Sequence, residues 1–239
     1  MIDIHTHVLP FMDDGSRSLE ESLELLQELG KQGVHTVAGT PHFYPWENSP
    51  EEFLKRRQKA MNRLMENYEP GLPALLAGAE VHYYEGISQM KELTQLCIQK
   101  TSLLLLEMPE TLWNSRMLSE IGSLCSRREV TVLLAHAERY MGREPKDIWA
   151  DLRRMGVYLQ FDADFLIHWH TRRKAIKMLR NGEIHLMGSD CHRIDTRKPC
   201  IAQAVSYLSE GDKQILAYHE NRLLSELSGI PEVSHGKEV

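Results

Sequence analysis

Short apolar runs recur along the chain, and nearly every one is followed by a segment whose apolar residues return every three or four positions. The first run, Met1–His5, leads into Leu19–Gln32, where Leu19, Leu23, Leu26 and Leu29 fall on one side of a helix. Ser18 ahead of Glu20 and Glu21 supplies an N-cap with acidic first-turn residues, and Gly33 stops the helix. The pattern repeats as strand Val34–Thr40 and helix Pro50–Tyr68, strands Leu75–Glu80 and Leu103–Glu107, helix Ser115–Arg128 and strand Val130–His136. It continues as helix Pro145–Met155, strand Val157–Phe161, helix Arg172–Asn181 and strand Ile184–Gly188. About seven βα units predict a parallel α/β fold. No Pro/Gly-rich linker or composition break interrupts the 239 residues, so a single domain over 1–239 is expected, with a frayed end over Ser228–Val239.

The polar residues that end these runs choose the architecture. No GxGxxG follows the first strand, which argues against an open dinucleotide-binding sheet. Almost every strand ends instead in a group that can bind metal: His5 and His7, with Asp13 and Asp14 beyond; His42; Glu80; Glu107; His136, with Glu138 and Arg139 beyond; and Asp190 with His192. A βα barrel collects such residues on the C-terminal rim of its strands. His5/His7 and Asp190/His192 are i, i+2 pairs, so in extended chain each pair projects from one face. One histidine at a strand end means little. Glu80 and Glu107 close apolar runs, where an unpaired carboxylate is costly to bury and a cation compensates it. The joint pattern predicts a multinuclear metal site, and mixed imidazole and carboxylate donors suit Mn²⁺, with Fe or Zn as alternatives.

Composition narrows the function. A formal net charge of −6 argues against a nucleic-acid partner, and 12 histidines exceed what packing requires. The four cysteines, Cys97, Cys125, Cys191 and Cys200, form no CxxC pair and read as reduced thiols. No leader pattern and no membrane-length apolar run is present, so a cytoplasmic protein without membrane insertion is expected.

The order HxH, Thr-Pro-His, lone Glu, lone His and Asp-x-His resembles the polymerase-and-histidinol-phosphatase (PHP) family across nearly the whole chain. Asp13-Asp14-Gly15, Ser18–Ser22, His136-Ala-Glu-Arg-Tyr140 and Gly188-Ser-Asp-Cys-His192 with Arg197 beyond are similar to its bacterial tyrosine-phosphatase branch, the CpsB/CapC-like and YwqE-like enzymes. Ala137 stands where that branch usually has Pro, and Arg193 where Asn is common. The resemblance implies a distorted (β/α)7 barrel with its active site at the C-terminal strand ends. It also implies three divalent ions: one on His5, His7, Glu80 and Asp190; a second on Glu80, Glu107 and His136; a third on Asp14, His42 and His192. The implied activity is hydrolysis of phosphotyrosine by a metal-activated hydroxide, serving capsule or exopolysaccharide synthesis, with the tail of a bacterial tyrosine kinase as the protein substrate.

Arg139 and Arg197 are the best phosphate clamps, because a guanidinium fork matches phosphate oxygens; Arg193 is a third candidate. His42 stands with them among the catalytic residues as well as among the ligands. Alternatives are a histidinol-phosphate phosphatase, a nuclease-like phosphodiesterase and a metal-binding regulatory protein without turnover. Cys191 and Arg197 have the C-x5-R spacing of thiolate phosphatases, but the intervening residues lack the glycines that curl backbone amides around phosphate. His168 and His170 read as loop or surface residues. Asp162 and Asp164 read as rim residues, and the runs Arg56-Arg57 and Arg172–Lys174 as solvated helix faces.

Overall fold

A computed structural model describes residues 1–228 of the chain. Most of the segment expected to fray, Ser228–Val239, therefore lies outside the described residues. The strands are β1 (Ile2–Thr6), β2 (Thr36–Gly39), β3 (His42–Phe43), β4 (Ala74–Ala77), β5 (Glu80–His82), β6 (Leu103–Glu107), β7 (Thr131–Leu134), β8 (Tyr158–Asp162) and β9 (Leu186–Gly188). The helices are α1 (Leu19–Lys31), α2 (Pro50–Met65), α3 (Leu93–Leu96), α4 (Ser115–Cys125), α5 (Lys146–Arg154), α6 (Asp164–Ile167), α7 (Trp169–Arg180), α8 (Ile201–Ser206) and α9 (Glu210–Ser228). No helix among the described residues is long and apolar enough to cross a membrane.

All strand pairs are parallel. They form one sheet in the order β1-β2-β4 and a second in the order β3-β5-β6-β7-β8-β9. The sheets share two strand paths. β2 passes into β3 through Thr40 and Pro41, and Pro41 has no N–H to give a ladder. β4 passes into β5 through Gly78 and Ala79. Backbone bonds carry across both breaks, from Gly78 to Gly39 (2.9 Å) and from Glu80 to Pro41 (3.0 Å). At the far side Thr6 bridges to Cys191, and Asp190 N–H donates to the His5 carbonyl (2.9 Å). The result is a curled parallel sheet.

Strand alternation sorts the core into two layers. Leu103 and Leu105 join Ile4, Ala38, Leu133, Ala135 and Leu186 in a small inner cluster. Leu104 and Leu106 face outward into the larger cluster under the helices, with Leu25, Leu29, Phe53, Ile121 and Leu179. Glu107 continues the inward face of β6, so its carboxylate sits over the C-terminal end of the inner cluster. Two glycines let the strand ends close up. A Cβ on Gly188 would lie 2.6 Å from the His5 Cβ, and one on Gly15 would lie 2.4 Å from the His7 Cβ. Only glycine permits these approaches.

Ser18 caps α1, its hydroxyl accepting from Glu21 N–H (3.1 Å), and Ser49 with Glu52 forms a reciprocal capping box on α2. The arginine runs are not simply solvated. Arg57 donates to the carbonyls of Gly78 (2.8 Å) and Gln95 (2.7 Å), pinning α2 to the β4–β5 break. Arg56 holds the Met12 carbonyl (3.0 Å), and Arg172 lies 3.4 Å over the Tyr207 ring. Backbone carbonyls thus hold Arg56, Arg57 and Arg172, whereas Arg173 and Lys174 are exposed, as expected of a solvated face.

Candidate metal centre

The nine residues with expected ligand roles come together at one end of the curled sheet. His5, His7, Glu80 and Asp190 offer donor atoms that all lie within 4.8 Å of one another, and so do His7, Asp14, His42 and His192, and His42, Glu80 and Glu107. His136 joins the last group, with Nε2 2.8 Å from Glu80 Oε1 and 3.6 Å from Glu107 Oε1. Sequence spacing had not placed His7 beside the third set, yet its ring stacks on His192 at 3.8 Å. Asp14 is the outermost of the nine, largely exposed, 3.4 Å from His192 Nε2 and 3.8 Å from His42 Nε2.

Glu80 Oε2 is the focus. His5 Nε2 (3.0 Å), His42 Nδ1 (3.1 Å) and His7 Nε2 (3.3 Å) converge on this single oxygen. The oxygen is buried and has no well-formed hydrogen bond, and neither does His42 Nδ1. The Nε2 atoms of His5 and His7 also face each other at 3.3 Å. Buried polar atoms seldom go unpaired. Lone pairs aimed at one another need positive charge between them, and a divalent cation fits that requirement. The protein's own protonation equilibria register the same demand. Burial alone would lower the His5 imidazole, but Glu80 and Asp190 outweigh it and raise it to about 9. Burial likewise opposes the charge on Glu80, yet the surrounding imidazoles, His5 foremost, hold its carboxyl well below the usual range. Metal must displace protons from these imidazoles to bind.

A ring of further residues sets the tautomers. Asp13 Oδ2 lies 2.7 Å from His7 Nδ1 and also accepts from His42 N–H (2.9 Å). Burial would raise the Asp13 carboxyl, but the His7 charge and hydrogen bond draw it down to about 2, so it is anionic. His7 Nδ1 must then carry the proton, leaving Nε2 free for a metal. Gln160 Oε1 lies 3.2 Å from His5 Nδ1 and accepts from His136 N–H (2.6 Å). The Tyr140 hydroxyl reaches His136 Nδ1 (3.3 Å) while donating to the Met108 carbonyl (2.8 Å). His82 Nδ1 pairs with Glu107 Oε2 (2.9 Å). These roles went unread in the sequence. His82 had a usable signal, since it sits two residues after Glu80 on the same strand, just as His7 follows His5. Gln160 had none, because a lone glutamine in a strand looks like any polar residue.

An Asp13→Asn substitution is therefore expected to weaken metal affinity by about 10–100-fold while leaving the fold intact. Titration of metal-stripped protein followed by calorimetry measures it, and an unchanged affinity would show that Asp13 does not orient His7.

Arg139 and Arg197 stand at the rim, each about half exposed, and both guanidiniums reach Asp190 Oδ2. Arg139 also binds Asp162 Oδ2 (2.7 Å), and Arg197 Nη1 lies 2.9 Å from His192 Nε2. Asp190 thus turns Oδ1 toward His5 (3.5 Å) and His7 (3.3 Å) and Oδ2 toward the two arginines. Arg193 points elsewhere, its Nε donating to the carbonyls of Asp14 (3.2 Å) and Gly15 (3.3 Å), so it ties down the loop that carries Asp14. Asp162 is buried at the rim under Arg139, whereas Asp164 is exposed, its Oδ1 3.7 Å from Cys200 Sγ. His168 and His170 are exposed at the start of α7, away from the cluster. Cys191 is fully buried, and burial pushes its thiol well above the ordinary range, so no thiolate is available for attack. All four cysteines are free thiols.

Residues 1–223 match the family model for capsular polysaccharide synthesis, CpsB/CapC. Among curated proteins, the tyrosine-protein phosphatase CpsB of Streptococcus agalactiae is 29% identical over 218 residues, covering 85% of this chain and 88% of its own. The tyrosine-protein phosphatase YwqE of Bacillus subtilis is 26% identical over 204 residues, covering 82% and 79%. Among solved structures, the crystallographic work on YwqE from Bacillus subtilis and CpsB from Streptococcus pneumoniae, described as metal-dependent tyrosine phosphatases, gives a chain with a TM-score of 0.78. That chain is 23% identical, with 95% of each chain covered, a likeness of fold.

Proposed function

The chain belongs to the capsular polysaccharide synthesis family CpsB/CapC, and from that footing we propose that it is a metal-dependent protein-tyrosine phosphatase acting on phosphotyrosine. The observation that carries this reading is the convergence of three imidazole nitrogens on the buried, unpaired Glu80 Oε2, with two guanidiniums at the rim. His5, His7, Glu80 and Asp190 would hold one divalent ion. Glu80, Glu107 and His136 would hold a second, and Asp14, His42 and His192 a third. Such ions acidify bound water and neutralise charge on phosphoryl oxygens. Mn²⁺ suits the mixed donor set best, with Fe or Zn as the alternatives.

The chain's own residues supply the rest. Arg139 and Arg197 grip the non-bridging oxygens of the phosphoryl group and fix its orientation. Asp190 holds both forks in place from below. A tyrosyl phenolate is a fair leaving group, since the ordinary phenol pKa is about 10, so little general-acid help is needed. We read the curled sheet as a distorted (β/α)7 barrel in which β2 with β3, and β4 with β5, each count as one interrupted strand. Residues 1–239 are taken as one catalytic domain. A phosphotyrosine tail of a bacterial tyrosine kinase in the cytoplasm is the protein substrate that the family suggests.

The test is hydrolysis of p-nitrophenyl phosphate, a phosphotyrosine peptide and histidinol phosphate, with and without a chelator. Phosphotyrosine peptide is expected to be the best substrate. A chelator is expected to remove most turnover, and added Mn²⁺ to restore it, while Cys191→Ser keeps activity. Chelator-resistant turnover that vanishes in Cys191→Ser would sink the proposal. A preference for histidinol phosphate would move the substrate and keep the metals.

A further inference from the structure

Four rings run outward from the metal-binding residues. His42 stacks on Tyr44 with centroids 5.0 Å apart and planes 22° from parallel. Tyr44 stacks in turn on Trp46 at 5.2 Å and 26°. The Trp46 indole meets the edge of His82 at 5.1 Å and 83°, and His82 is hydrogen-bonded to Glu107. Both ends of this ladder are therefore anchored on candidate ligands. Tyr44 also lines a cleft of about 270 Å³ whose other walls include Asp14, His42 and Arg56. Trp46 remains 63% exposed.

A large indole held by two neighbouring rings, yet left open to water, forgoes the stabilisation that covering it would bring. The ring of an aryl phosphate would supply the cover. The distance from the phosphorus of an aryl ester to its ring centre is about one rung of this ladder. An aryl ester whose phosphoryl group sits beside His42 thus carries its ring to the level of Tyr44, with the exposed Trp46 as the next rung beyond. An alkyl ester offers no flat face there. The acidic residues around the cleft favour neither ester over the other.

We propose that Tyr44 and Trp46 form the shelf that receives the aromatic ring of the substrate and so give the site its preference for aryl over alkyl phosphate monoesters. This inference rests on the phosphatase reading above, but its test can fail independently. Neither residue is a ligand or a phosphate clamp. Trp46 is a surface residue whose ring neighbours are Tyr44 and His82, so metal content is measured beside turnover to register any effect passed through His82 to Glu107.

The experiment compares wild type, Trp46→Ala and Trp46→Phe, each loaded with Mn²⁺, on p-nitrophenyl phosphate and n-butyl phosphate. It adds calorimetric binding of benzylphosphonate and butylphosphonate, which are not hydrolysed. Trp46→Ala is expected to lose about tenfold in kcat/KM for the aryl ester and in benzylphosphonate affinity. Butyl ester turnover, butylphosphonate affinity and metal content should change less than about twofold. Trp46→Phe should recover most of the loss. Equal losses on aryl and alkyl compounds, or no loss on either, would overturn the shelf. If wild type hydrolyses no monoester, the phosphatase reading fails, and the two phosphonates alone then decide whether the shelf selects an aryl group.

Discussion

Replacing Glu80 by Gln is expected to lower turnover by about 10³-fold or more and to strip metal from the purified protein. Glutamine keeps the volume, so the cause is charge and donor chemistry. Oε2 of Glu80 faces His5, His7 and His42, and Oε1 faces His136. One carboxylate therefore serves four imidazoles. An amide presents either a neutral oxygen or an N–H₂ to those nitrogens, and neither offers the anionic donor that a divalent cation would need there. The loss also reaches stability. Asp190, itself held well below the usual carboxylate range against burial by His5 and His7, would be left to balance His5 alone and to share His7 with Asp13. Breaking a buried ion pair costs about 3–5 kcal/mol when one partner is left charged. Here His5 can release its proton, so the cost in metal-free protein should fall short of that. Elemental analysis, turnover and thermal unfolding of Glu80→Gln check the three effects together. A Glu80→Gln protein that kept its metal and its rate would show that the carboxylate is not the hub of the site.

The hub was legible because strand parity is legible. His5/His7 and Asp190/His192 are spaced two apart, and β6 carries Leu103, Leu105 and Glu107 on one face, so the inward carboxylate follows from the same count that places the core. What parity does not carry is how chain ends turn. His136, Asp190 and Arg197 all have left-handed backbone, with φ of 30°, 51° and 52°. Strain of this kind collects at functional sites and depends on the surroundings to hold it. It aims side chains in ways that no local pattern encodes. The Asp13–His7 and Gln160–His5 pairs likewise depend on a loop return and on a strand far away in sequence. The interrupted strands had a visible cause in Pro41 and Gly78. Helix α7 begins at Trp169 rather than Arg172, with His168 alone, in extended backbone, separating it from α6. Helices α8 and α9 were missed, since α9 carries no clean apolar stripe to announce it.

Substituting Arg139 and Arg197 together by Ala is expected to cost roughly 10³-fold in kcat/KM, each contributing about 1.5–3 kcal/mol through charge-assisted hydrogen bonds to the phosphoryl oxygens. Two roles compete for these residues, because both guanidiniums rest on Asp190 Oδ2. If they only balance the charge of Asp190, lysine should serve as well, and metal affinity should respond to their loss. If they grip phosphate, the planar fork matters, and Lys cannot replace it. Arg139→Lys and Arg197→Lys separate the two roles. Both keep the charge beside Asp190. Position 197 already bears the left-handed backbone with a bulky side chain, so Lys there adds no conformational cost. The phosphate-grip role requires that each Lys variant lose most of what the Ala variant loses and that inhibition by inorganic phosphate weaken in step. Metal titration should stay within about twofold of wild type. The partners also make the two arginines unequal. Arg139 is shared with Asp162, whereas Arg197 leans on His192, whose imidazole burial lowers to about 4 with His7 and Arg197 adding to the effect. That keeps His192 neutral, with its Nε2 lone pair accepting from Arg197, a bond a ligand role would have to replace. Removing Arg197 takes away part of that pressure on His192. Arg197→Ala should therefore shift metal binding toward higher pH, as a more basic His192 holds its proton longer, while Arg139→Ala should leave that pH profile in place.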